Sequence, residues 1–178
     1  MFHVMVGDRT SVYDATDYDT NMSVPRVGQL EYDPVYKAFF RFIKNVGASA
    51  LTEKLVAVAA GADKTDYEVA VAAATDGLLT FAGVRVPGAS SMAQNEYGWL
   101  QVSGPATFLH SGGAATVADD GIITSASVAG KVEGVAAVPA DATAALANAK
   151  AVFAYCQAAK TTLDEDVKAT IVYSCLGL

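Results

Sequence analysis

Two histidines, two cysteines and a few carboxylate clusters are what this sequence offers for chemistry. Neither His3 nor His110 has a metal-ligand neighbour at a useful spacing, so no metal is expected. His110-Ser111 sets a base beside a hydroxyl, but a hydroxyl nucleophile needs a separately positioned base and an orienting third group. Adjacency before a Gly-rich turn supplies neither, and His110 reads as an exposed turn residue. Asp14-x-x-Asp17-x-Asp19-x-Asn21 gathers oxygen ligands of the kind a hard cation takes. It lacks the central Gly and terminal Glu of an EF-hand loop, and reads as a solvated acidic stretch. Asp119-Asp120 and Asp164-Glu165-Asp166 look like turns rather than carboxylates paired across a cleft. No GxGxxG or P-loop follows an apolar stretch, so no nucleotide cofactor has a cradle. These residues predict no catalytic set, no cofactor and no enzyme.

Cys156 and Cys175 match neither a disulfide-dense scaffold nor a zinc module. A hairpin about Asp164 brings them near one another, which leaves two readings: a bridge, or two buried thiols acting as small apolar groups. The conspicuous remaining stretch is Gln94-Asn95-Glu96-Tyr97-Gly98-Trp99-Leu100-Gln101-Val102-Ser103-Gly104-Pro105-Ala106. Its aromatics serve either as a flat ligand platform with polar tips or as packing beside a Gly-Pro turn. Tyr97, Gly98, Trp99, Gly104 and Pro105 are its structural signature.

Strands must position these residues. From Tyr36 onward, short apolar stretches alternate with Gly, Asp, Asn and Ser, predicting strands at 38–44, 51–58, 67–72, 78–86, 97–103, 106–109, 122–127, 132–138, 152–158 and 167–175. The last is the plainest: Val167, Ala169, Ile171, Tyr173 and Cys175 share one face, and Lys168, Thr170, Val172 and Ser174 the other. The Ala-rich strands at 55–62 and 69–74 contradict simple β propensity and suit close packing within a sheet or between subunits. Asp141 to Lys160 predicts a short helix over 141–149 ahead of a strand at Val152, with one helix through Ala159 as the alternative. The expected fold is mainly β, a β-barrel or β-sandwich over residues 37–178 with at most one short helix.

Residues 1–36 read differently. Six carboxylates stand against two arginines, and Val12, Tyr13, Tyr18, Met22 and Val24 follow neither strand nor helix periodicity. The segment reads as an extended N-terminal arm needing another surface, with those five apolar residues as its contacts to another chain. The alternative is an irregular start packed on its own domain. The chain carries a net charge of −7, which repels phosphate backbones and anionic lipid and argues against nucleic-acid or membrane partners. The start at Met1 has no basic region ahead of a long apolar one, and no run of about 18 apolar residues occurs.

Gly83-Val84, a spacer, and then Gln94 to Ala106 resemble the "G-V-A … G-Q-Y-G-W-V-Q-V-x-G-P-A" stretch of virion structural proteins of tailed bacteriophages, capsid decoration (cement) proteins among them. Phe39-Phe40-Arg41-Phe42-Ile43-Lys44-Asn45-Val46-Gly47-Ala48-Ser49-Ala50-Leu51 is similar to their "F-R-Y-V-K-x-G-A-S-A-L" strand and turn, and so is the closing Val167-Lys168-Ala169-Thr170-Ile171-Val172-Tyr173. An Asn-Glu replaces the usual Gly-Gln before the Tyr. The resemblance implies a non-enzymatic β-rich protein assembled in the host cytoplasm onto the outer capsid surface of the virion. Its implied partners are the major capsid protein and itself, as a homotrimer. A tail- or fibre-associated β-module binding host surface glycans through exposed Tyr97 and Trp99 is the alternative.

Overall fold

The computed structural model describes residues 3–4, 8–21, 23–60, 66–73, 81–113, 121–124, 128–135, 152–172 and 174. Five strands form its centre: β4 (Ala38–Asn45), β5 (Val56–Ala59), β6 (Glu68–Val71), β7 (Phe81–Val84) and β8 (Tyr97–Gln101). They pair in the order β4-β6-β5-β7-β8, and β8 returns to β4 with Phe42 opposite Trp99, so the sheet closes into a barrel. A five-stranded barrel encloses little width. Its interior accordingly holds Ile43, Leu51, Ala57, Val69, Ala82, Met92 and Leu100. Of the alanines that contradict β propensity, Ala57 lies in this narrow lumen, Ala72 belongs to the core outside the barrel wall, and Ala60 and Ala73 are exposed.

Each outer wall of the barrel has its own cover. Across β5 and β7 lies a second sheet of β9 (Gly104–Leu109), β10 (Gly121–Thr124), β11 (Val132–Gly134), β12 (Ala154–Cys156) and β13 (Asp166–Ile171), antiparallel in the order β11-β10-β12-β13-β9. Val56, Val58, Phe81 and Val84 share one core with Phe108, Ile122, Val132, Phe153, Val167 and Ile171. Phe81 and Phe153 stack at its centre, 4.0 Å between centroids. Each such side chain contributes about 1.5–3 kcal/mol by leaving water. His110 bridges Val132, and Ser111 N–H donates to Val132 O at 2.9 Å, so the two edges of this sheet also meet. His110 is therefore buried, not an exposed turn residue, because it sits where the sheet closes.

The other wall, the β4–β8 seam, carries Phe40, Phe42, Tyr97 and Trp99. Here the described part of residues 1–36 differs from an extended arm and follows the alternative reading. β1 (His3–Val4) pairs with β3 (Leu30–Asp33), β3 forms a hairpin with β4, and β2 (Val12–Tyr13) adds to β8. The hairpin crosses the expected boundary between residues 36 and 37. Between β2 and β3 stands the described helix, α1 (Ala15–Thr20). The Asp14-to-Asn21 spacing serves this helix: Asp14 Oδ1 accepts Asp17 N–H at 2.8 Å as N-cap, and Asn21 is the C-cap. The helix expected over 141–149 lies outside the described residues.

Most expected strands are present with shifted ends. β13 alternates as read, with Val167, Ala169 and Ile171 buried and Lys168 and Val172 exposed. Its hairpin with β12 sets Cys156 opposite Ala169. Cys156 is a buried free thiol whose Sγ donates to Ala158 O at 2.7 Å, and Cys175 lies outside the described residues.

Candidate functional site

The Gln94-to-Ala106 stretch builds β8, a turn and the start of β9. Trp99 is 2% exposed and meets Phe42 edge-on at 5.2 Å, 70° between planes. Tyr97 is 9% exposed and stacks on Tyr18 at 4.1 Å. Burial pushes the Tyr97 phenol above its ordinary range, with Tyr18 adding to the effect. Of the two readings of these aromatics, packing is the one observed. Gly98 sits in a tight place, since a Cβ there would stand 3.0 Å from Arg85 Nη1 and 3.2 Å from Met92 Sδ, and these side chains would have to shift by a few tenths of an ångström. Gly104 is required twice over: its φ is +80°, and a Cβ would stand 2.6 Å from Lys37 O. Pro105 follows in β9 with its ring exposed.

Tyr13, Tyr18 and Val24 pack on the aromatic wall and Val12 against the barrel core, while Met22 lies outside the described residues. Val24 is buried there, and Val12, Tyr13 and Tyr18 are partly buried against their own barrel. The cover is also held by polar ties. Arg85 is fully buried and donates from Nη1 to Trp99 O at 2.9 Å and from Nη2 to Ser90 O at 2.7 Å and Thr10 O at 3.4 Å. Desolvation lowers its pKa to about 10, Asp8 opposing the shift. Asp8 caps the same turn, accepting Thr10 Oγ1 at 2.5 Å, Thr10 N at 2.9 Å and Ser11 Oγ at 3.1 Å. Arg9 pairs with buried Asp33 and lies 4.8 Å over the Tyr36 ring.

Sequence reasoning passed over Arg85, although an arginine between Val84 and Val86 in an apolar run is the signal of a buried cation tied to carbonyls. It also passed over Asn45, buried at the barrel rim, whose Nδ2 donates to Met92 O at 2.9 Å and Ala93 O at 3.2 Å. His110, Ser111 and Glu133 come together, but their bonds knit the closing turn. His110 Nδ1 accepts Gly112 N–H at 3.0 Å, and Ser111 Oγ accepts Gly113 N–H at 3.1 Å while donating to Glu133 at 3.3 Å.

The two covers differ in charge. On the α1 side Asp14, Asp17 and Asp19 are exposed, and none enters an ion pair among the described residues. On the second sheet the turn carboxylates are matched: Asp164 with Lys131 at 2.6 Å, Glu165 with Lys160 at 2.7 Å, and Asp166 with Lys54 at 2.8 Å. The Lys160 hydrogen bond holds Glu165 below the usual carboxylate range, and the Asp166 hydrogen bond raises Lys54. Exposed Lys168 has no ion pair among the described residues.

The fold defines a mainly β chain, a closed five-stranded barrel jacketed on opposite walls by an N-terminal cover and a second sheet. Among solved structures, the chain is similar to "the crystal structure of head fiber gp8.5 N base in bacteriophage phi29", at 11% identity over 78% of this chain and 96% of that one, with a TM-score of 0.45. No family model and no curated protein sequence matches it.

Proposed function

We propose that this chain is a non-enzymatic structural protein of a tailed-phage virion, of the capsid decoration type. It binds the major capsid protein on the outer head surface and associates with itself as a homotrimer. One observation carries the reading: the three segments of the resemblance, distant in sequence, are neighbours in space. Phe39 to Asn45 and Tyr97 to Gln101 form the seam that closes the barrel, with Phe42 opposite Trp99. Gly104 to Ala106 then pair with Ala169 to Ile171 in the second sheet. The shared residues are thus one continuous framework, as a virion module defined by shape rather than chemistry requires. Such a protein stabilises a shell by mass action, because binding only the expanded lattice shifts the equilibrium toward it.

The fibre alternative depended on Tyr97 and Trp99 as an exposed glycan platform, and both are buried. A reconstruction of intact particles containing the protein tests the reading. Density for the barrel on the outer head surface is the expected result. Density confined to the tail overturns the decoration role.

A further inference from the structure

We propose that residues 8–21 are a strap that opens as one unit from the β4–β8 seam while the barrel and the second sheet stay folded. The inference goes beyond the decoration role and does not depend on it. Burial divides the chain at this point. No residue from Asp8 to Asn21 is buried, whereas most of β4 and all of β8 are. Anchoring resumes at Val24, which is 4% exposed, and at Gly28, whose N–H donates to Phe42 O at 2.8 Å. Ahead of the strap, β1 is held to β3 through His3 and Val4.

The attachments of the strap are few and separate from those of the barrel. Its ladder pairs only Val12 with Gly98 and Tyr13 with Tyr97, and beside it Ser90 N–H donates to Thr10 O at 3.0 Å. Helix α1 contributes no buried residue and reaches the wall through Tyr18, stacked on Tyr97. Barrel closure rests instead on the β4–β8 pairs that run from Phe40 to Lys44. The core beneath the second sheet includes no strap residue. A segment with few buried apolar contacts opens at a lower free energy than the whole fold.

Arg9 is the latch. Its guanidinium pairs with fully buried Asp33 and lies over the Tyr36 and Phe40 rings at 4.8 and 5.1 Å. Opening withdraws Arg9 and leaves the Asp33 carboxylate with the Val35 and Tyr36 N–H groups as its donors, an unfavourable state for a buried charge. Arg85 acts in the opposite direction. Its Nη2 gives up Thr10 O on opening, but Ser90 O and Trp99 O remain, and its desolvated charge moves toward water. The closed form shows solvent the carboxylates of Asp14, Asp17 and Asp19, and the open form shows it the Phe42 and Tyr97 rings. The strap thus switches one wall between an acidic and an aromatic surface.

Native-state hydrogen exchange of the full chain in increasing, sub-denaturing urea tests this. Ser90 N–H and Val27 N–H, the latter bonded to the Tyr18 hydroxyl at 3.3 Å, report the two ends of the strap. Phe42 and Leu51 N–H, bonded to Gln29 O and Met92 O, report the barrel. The strap pair should share one opening constant, about a hundredfold or more above that of the barrel pair and with a smaller urea dependence. Arg9→Gln should raise the strap's opening constant about tenfold or more. Val56→Ala, on β5 across the barrel from the seam, should speed the barrel amides about tenfold or more and leave the strap amides unchanged. Strap amides that follow Val56→Ala as the barrel does would make strap and barrel one unit and overturn the proposal. Different opening constants at Ser90 and Val27 would overturn it too, as would a folded Arg9→Gln protein in which neither moves. If Arg9→Gln does not fold, Tyr18→Ala removes the stack on Tyr97 and takes its place, with Ser90 as the readout.

Discussion

Trp99→Ala should cost the protein about 3–5 kcal/mol of stability. Trp99 is almost wholly buried between the barrel seam and its cover, with its ring edge-on to Phe42. A buried tryptophan removes roughly 150–250 Å² from water, which at about 25 cal/mol per Å² is about 4–6 kcal/mol. The alanine Cβ retains part of that, while the vacated space and the lost aromatic pair subtract again, so about 3–5 kcal/mol is the expected net. Arg85 bonds the Trp99 carbonyl, not the indole, and that tie survives the substitution. Urea unfolding followed by far-UV circular dichroism is the assay, because Trp99 is the one tryptophan and its fluorescence vanishes with it. A loss below about 1.5 kcal/mol with an unchanged m-value would refute the reasoning, since it would mean that the ring is not packed between two layers.

Two further outcomes follow from the turns. Gly104→Ala combines a left-handed φ with a Cβ 2.6 Å from Lys37 O, whereas Gly88→Ala shares the left-handed φ (+78°) with no atom within 4 Å. Gly88→Ala should cost about 1–2 kcal/mol in thermal unfolding and Gly104→Ala clearly more, and equal losses would deny the close approach of the 34–37 turn. Asp8 titrates below its ordinary 3.8, chiefly through the Thr10 side-chain hydrogen bond. A carboxylate whose folded pKa is depressed contributes stability that is present above 3.8 and fades as pH falls through the folded value. The stability difference between wild type and Asp8→Asn, expected below about 1 kcal/mol at this exposed site, should therefore shrink on acidification. A pH-independent difference would contradict it.

Legibility in the sequence followed how each strand is buried. β13 has one wet face and one dry face, so its period of two gave its exact alternation of buried and exposed residues. β5 and β7 are dry on both faces, one in the lumen and one under the second sheet, so they read as apolar runs without phase. The N-terminal cover was misread because its apolar residues reach the barrel from a two-residue strand, a six-residue helix and turns, leaving no period to detect. The short α1 was not read from the sequence: Asp14 is its N-cap, but the spacing of Asp14, Asp17, Asp19 and Asn21 reads as a solvated acidic stretch. His110 was missed because its burial depends on Val132, a partner that sequence proximity does not reveal.

The pairing of β2 with β8 carries a consequence for synthesis. Val12 pairs with Gly98, so during translation the cover waits about 86 residues for its wall, roughly 4–17 s at ordinary elongation rates. A periodic apolar segment left exposed that long invites mispairing with other nascent chains. Excess carboxylates and scattered hydrophobes keep this one soluble until β8 emerges, at which point Tyr13 and Tyr18 find Phe42 and Tyr97. The composition that hides the segment from pattern reading is thus what lets it be made first and placed late.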